Sequence, residues 1–137
     1  MNLIDKVKAA KSVFIIGNGG SYANAMHICN DLLLMGKPAF TLDPATLTAF
    51  ANDFGYEGVF SLWLEVVGKE GDLLIALSGS GKSANILAAI EDAKRIGMMV
   101  HLETNYLKKY DMQVSEERQI RMGHDLMRGL SNTGKKS

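Results

Sequence analysis

Apolar and polar positions along the chain change period several times, and each change marks an element. Val13-Phe14-Ile15-Ile16 is too short an apolar run for a buried helix and suits a strand covered on both faces. Asp72-Leu73-Leu74-Ile75-Ala76-Leu77 repeats it, and 39–42 and 98–102 give weaker versions. Asp111-Met112-Gln113-Val114 is poorly hydrophobic and reads as an edge strand. Between these runs the period lengthens to that of a helix, over 2–10, 22–35, 45–52, 57–67, 84–96 and 115–130. This alternation predicts an α/β fold, a three-layer α-β-α sandwich around a mostly parallel five-stranded sheet. One domain over 1–130 and a polar, disordered tail over 131–137 complete the expectation.

Two helices depart from a simple amphipathic pattern. In 22–35 the apolar residues leave one polar stripe, Asn24, His27 and Asp31, so His27 and Asp31 are neighbours on one face. In 57–67 the residues Val59, Phe60, Leu62, Trp63, Leu64, Val66 and Val67 cover nearly the whole circumference. Such a helix must be covered on more than one side, and a partner subunit is a plausible source of that cover.

Candidate chemistry sits where strands end. The first strand breaks into Gly17-Asn18-Gly19-Gly20-Ser21, and the strand 72–77 into Ser78-Gly79-Ser80-Gly81-Lys82-Ser83. A strand, a glycine turn and a helix N-terminus aim unpaired N–H groups and the positive end of a helix dipole at one point, which suits a phosphate. Serine hydroxyls add further donors. In a parallel sheet both loops leave the carboxyl ends of their strands and can face one crevice.

Composition narrows the partners. The chain has 137 residues with 15 basic against 15 acidic side chains, so it lacks the basic excess of a nucleic-acid footprint. Cys29 is the only cysteine, which excludes an intrachain disulfide. No signal-peptide core or membrane-length apolar run is present, and a cytoplasmic location is expected. The stretch 76–83 nearly spells a nucleotide-binding P-loop, with Ala76 in place of the first glycine. No apolar strand ending in Asp follows to hold magnesium, which leaves nucleotide binding a minor alternative.

Taken together, Gly17-Asn18-Gly19-Gly20-Ser21, Ala25-Met26-His27, Ala51-Asn52-Asp53-Phe54-Gly55-Tyr56, Val59-Phe60-Ser61, Gly71-Asp72-Leu73-Leu74, Ser78 to Asn85 and His124 resemble the sugar isomerase (SIS) domain. Within that superfamily the chain is similar to the phosphoheptose isomerases. The resemblance implies a flavodoxin- or Rossmann-like fold and the conversion of sedoheptulose 7-phosphate to D-glycero-D-manno-heptose 7-phosphate through an enediol. It places the substrate at Asn18, Gly19, Gly20, Ser21, Asn52, Asp53, Ser78, Gly79, Ser80 and Ser83, and acid–base catalysis at Asp31 and His124. His27, Asp31, Glu116 and His124 fall where some members bind zinc. A homotetramer with sites shared between subunits is also implied. Glu116 and His124 are eight residues apart, about 12 Å along one helix, so service of one site from different subunits is expected. A non-catalytic SIS module that binds a sugar phosphate or a protein is the alternative reading.

Overall fold

The computed structural model describes residues 1–104 and 112–134. Four parallel strands, β1 (Val13–Gly17), β2 (Ala39–Phe40), β3 (Leu73–Leu77) and β4 (Met99–Glu103), lie in the order β2-β1-β3-β4. Among the described residues six α-helices join and cover them: α1 (Leu3–Ala9), α2 (Gly20–Leu34), α3 (Pro44–Phe54), α4 (Val59–Val67), α5 (Ala84–Ile96) and α6 (Met112–Gly134). A 3-10 turn, Tyr56–Gly58, separates α3 from α4.

The uninterrupted apolar runs of β1 and β3 follow from their central place. Every residue of both strands is buried. Phe14, Ile16, Leu74 and Ala76 face a core with Val59, Phe60, Trp63, Leu64 and Ile86. Val13, Ile15, Leu73, Ile75 and Leu77 face the other, with Ala25, Ile28, Leu32 and Leu126. Burial on both faces leaves no position for a polar residue.

The expected sheet needs correction. It has four strands among the described residues, because residues 112–114 form the first turn of α6 instead of a fifth strand. A short, weakly apolar segment has little to bury at a sheet edge, while continuity with the helical period of 115–130 extends a helix already stabilised by packing. Asp111 and the expected polar connection over 105–110 lie outside the described residues. At the other end α6 runs to Gly134 instead of stopping at Leu130, so the first residues of the expected tail are helical and 135–137 lie outside the described residues.

Without that strand, β4 has only half-buried residues. Met99 N–H donates to Asp72 O and Ser78 N–H to Glu103 O, so Val100 points its carbonyl away from β3. There Lys6 Nζ donates to it at 2.9 Å, a lysine placed on an exposed edge.

The all-round apolar helix is α4, and much of its cover comes from this chain. Val59, Phe60, Trp63 and Leu64 are buried against the sheet and α5, and Trp63 meets Phe14 edge-on at 5.4 Å. Val66 is left 78% exposed. Cys29 is a buried free thiol, pushed up in pKa by that burial, as suits a packing residue.

Candidate active site

The first loop needs glycine for two different reasons. Gly19 has φ +56°, in the left-handed region that side chains disfavour. At Gly20 a Cβ would lie 1.6 Å from Glu116 Oε2, so the α6 carboxylate occupies the space a side chain would take. Ser21 follows, 4% exposed, in the first turn of α2. Tyr22 donates its hydroxyl to Leu42 O, and burial, then Asp43 and Tyr56, raise its pKa and keep it a donor.

In the second loop Ser78 Oγ accepts Gly81 N–H and Ser80 Oγ accepts Lys82 N–H, both at 3.1 Å. An oxygen that already accepts from the protein still has its hydrogen free to donate elsewhere. Ser83 is the N-cap of α5 and makes no side-chain capping bond, and Lys82 is exposed. Gly79 is buried, its carbonyl accepting Thr104 Oγ1 at 3.3 Å.

The two loops are tied directly. Asn18 Nδ2 donates to Asn85 Oδ1 and Asn85 Nδ2 donates to Asn18 Oδ1, each at 2.9 Å. Tyr56 Oη also donates to Asn18 Oδ1, which brings the end of α3 to the same point. Asn18, expected along the substrate, has its side chain occupied in this clamp.

Farther along α2, the polar stripe meets α6. His27 Nε2 lies 3.3 Å from His124 Nε2 and 3.3 Å from Asp31 Oδ2. Ligating atoms of these three residues all fall within 4.8 Å of one another. Two imidazoles and a carboxylate are the donor set zinc takes in open, catalytic sites, so these residues fit the metal.

A family model described as the SIS domain matches residues 1–101. The chain belongs to the SIS domain family. Phosphoheptose isomerases of Sodalis glossinidius and Serratia proteamaculans are 45% and 46% identical to it over 105 residues, 72% of this chain and 54% of theirs. The chain therefore spans about half the length of the curated relatives it matches. A solved phosphoheptose isomerase from Neisseria gonorrhoeae superimposes with TM-score 0.84 at 26% identity, covering 95% of this chain and 81% of that one. One from Francisella tularensis gives TM-score 0.82 at 28% identity, over 94% and 84%.

In this SIS domain Glu116 does not join the other three expected metal ligands. It lies against Gly20, while His124 meets His27. The contacts between the two helices run in register, Glu116 with Gly20, Gln119 with Ser21 and Asn24, Gly123 with Ile28, and His124 with His27, so α6 lies alongside α2 in the same direction. The eight-residue spacing thus serves two levels of one α2 face. His124 reaches Asp31's neighbourhood within a single chain, where the spacing had suggested different subunits. Asn52 and Asp53 lie exposed near the end of α3, bonded to each other at 3.0 Å and, among the described residues, to neither serine loop.

Gln119 and Gly123 were not singled out from sequence, while Asn24 appeared there only as part of a polar stripe and Asn85 only as the end of a motif. Ser115, Gln119, Met122 and Leu126 recur at helical spacing, and a polar residue on such a core-facing stripe is the signal that could have found Gln119. Gln119 is 1% exposed, and Ser115 Oγ is buried with no hydrogen-bond partner among the described residues.

Proposed function

We propose that this SIS domain isomerises sedoheptulose 7-phosphate to D-glycero-D-manno-heptose 7-phosphate by proton transfer through an enediol. The observation that carries the reading is the meeting of His124 with His27 and Asp31 on the α2 helix that begins at the serine loop. From Ser21 to His27 the helix rises about 9 Å, a span that suits a phosphate and reacting carbons several bonds apart.

The phosphate is held by hydroxyls of Ser21, Ser78, Ser80 and Ser83 and by the N-terminal ends of α2 and α5, all of them donors facing an acceptor. Gly19, Gly20 and Gly79 keep the backbone close to it. Asn52 and Asp53 line the sugar from the end of α3. Ketose-to-aldose conversion moves one proton from C1 to C2 and another from the C1 oxygen to the C2 oxygen. The Asp31 carboxylate takes the carbon proton from C1 and returns it to C2. The His124 imidazole exchanges the oxygen protons. Half-burial of Asp31 beside His27 orients its carboxylate. His27, Asp31 and His124 are the residues that would hold zinc, which when bound supplies polarisation of the substrate carbonyl. A homotetramer goes with this reading, its apolar contacts drawn from exposed Leu33, Leu34 and Val66. So does a cytoplasmic setting, which suits the unpaired Cys29.

The test is turnover of sedoheptulose 7-phosphate, with and without added zinc. Asp31→Asn and His124→Ala each lower kcat by about 100-fold or more while substrate binding persists. Unchanged rates in both variants overturn the assignment. Sugar-phosphate-dependent thermal stabilisation without turnover marks a binding module instead.

A further inference from the structure

Which way the Ser21 hydroxyl points is settled by a residue 98 positions away in sequence. The chain of bonds starts at the backbone carbonyl of Glu116, which can only accept. Asn24 Nδ2 lies 2.9 Å from it, so the nitrogen end of the Asn24 amide faces that way. The same Nδ2 lies 2.9 Å from Gln119 Oε1, which accepts. This leaves Gln119 Nε2 as the end that faces Ser21, and it donates to Ser21 Oγ at 3.0 Å. Ser21 is therefore an acceptor toward Gln119, and its own hydrogen meets no acceptor among the described residues. Were the Gln119 amide reversed, Ser21 would donate to Oε1 and present only lone pairs to the crevice. A phosphate oxygen, which also only accepts, would then be repelled.

Ser78 and Ser80 reach the same state by accepting backbone N–H groups of their own loop. Ser21 relies on a side chain from α6. The contact between them is buried, at 1% exposure for Gln119 and 4% for Ser21, so water does not take the place of Gln119 there.

We propose that Gln119 is a positioning residue for anion recognition, holding the Ser21 hydroxyl as a donor through the relay Glu116 C=O, Asn24, Gln119. The inference rests on the reading that Ser21 binds the substrate phosphate. It also gives α6 a role at the phosphate end of the site separate from that of His124.

The test measures kcat, KM and calorimetric affinity for sedoheptulose 7-phosphate with the full chain and the variants Gln119→Glu, Asn24→Asp, Ser21→Ala and the two doubles with Ser21→Ala. The Gln119→Glu carboxylate accepts from both sides, so Ser21 turns its hydrogen inward. Asn24→Asp removes the donor that holds the Gln119 amide, which reverses with the same result, and Asn24 is only half-buried, so this variant tolerates the change if Gln119→Glu fails to fold. Each raises KM about tenfold, the loss of one hydrogen bond to a charged group, with kcat within about threefold because the phosphate contact is made equally before and during the reaction. In the Ser21→Ala background neither substitution weakens binding further. An unchanged KM in a folded Gln119→Glu or Asn24→Asp variant overturns the inference. So does an equal loss with and without the Ser21 hydroxyl, which is the effect of added negative charge alone. Absence of binding by the wild-type chain overturns the phosphate reading itself and this inference with it.

Discussion

Asn18 and Asn85 exchange two side-chain amide hydrogen bonds of 2.9 Å, and so lock the loop after β1 to the start of α5. The bond pair means that neither serine loop is free to drift from the other. A crevice built from two strand ends keeps a fixed width only if something spans it, and here the span is a pair of amides that satisfy each other.

Asn85→Ala takes the acceptor from the half-buried Asn18 Nδ2 and leaves Oδ1 with Tyr56 Oη alone, and is expected to destabilise the chain by about 1–3 kcal/mol. The double variant Asn18→Ala, Asn85→Ala costs less than the sum of the singles, with a coupling of about 1–2 kcal/mol. Urea unfolding of the four proteins measures it, and simple additivity refutes the clamp.

Two glycines against α2 and α6 are expected to respond differently to alanine. At Gly20 the obstacle is the end of the flexible Glu116 side chain, which can swing away. At Gly123 it is Ile28 Cγ1 at 2.7 Å, a branched and buried group. Gly123→Ala therefore lowers stability by about 1–3 kcal/mol through overpacking and displaces the adjacent His124, whereas Gly20→Ala leaves the melting temperature close to wild type. Thermal unfolding of the two variants checks the order, and a reversed order contradicts the packing described.

Asp92 gives a pH dependence with a definite sign. A hydrogen bond from Ser61, then one from Arg95, holds its carboxyl below the usual carboxylate range. A folded pKa below the unfolded one adds stability that is complete above the unfolded value and fades as pH falls through the folded one. Asp92→Asn is thus expected to be less stable than wild type at neutral pH, with the gap narrowing below about pH 4. Denaturant midpoints across pH test this, and a gap that widens toward acid contradicts it.

What was readable from sequence was local. The change from a β-branched run to glycines and then to a helical period occurs within a few residues at 13–22 and again at 72–84, so strand, loop and helix dipole could be placed without knowing their neighbours. The polar stripe Asn24, His27, Asp31 was equally plain, but its partner was not. Contact between His27 and His124 joins positions 97 residues apart, and nothing in either helix alone states that they run parallel. For the same reason the spacing of Glu116 and His124 pointed to separate subunits, when one long face of α2 accommodates both. The expected fifth strand failed because a four-residue segment has the length of a strand and too little apolar surface to show which element it joins.

The most direct measurement of the central claim is proton nuclear magnetic resonance of sedoheptulose 7-phosphate incubated with the chain in heavy water. Proton transfer by Asp31 through an enediol predicts aldose product and solvent deuterium on the reacting carbons, both lost in Asp31→Asn. Bound but unlabelled and unconverted substrate would contradict it.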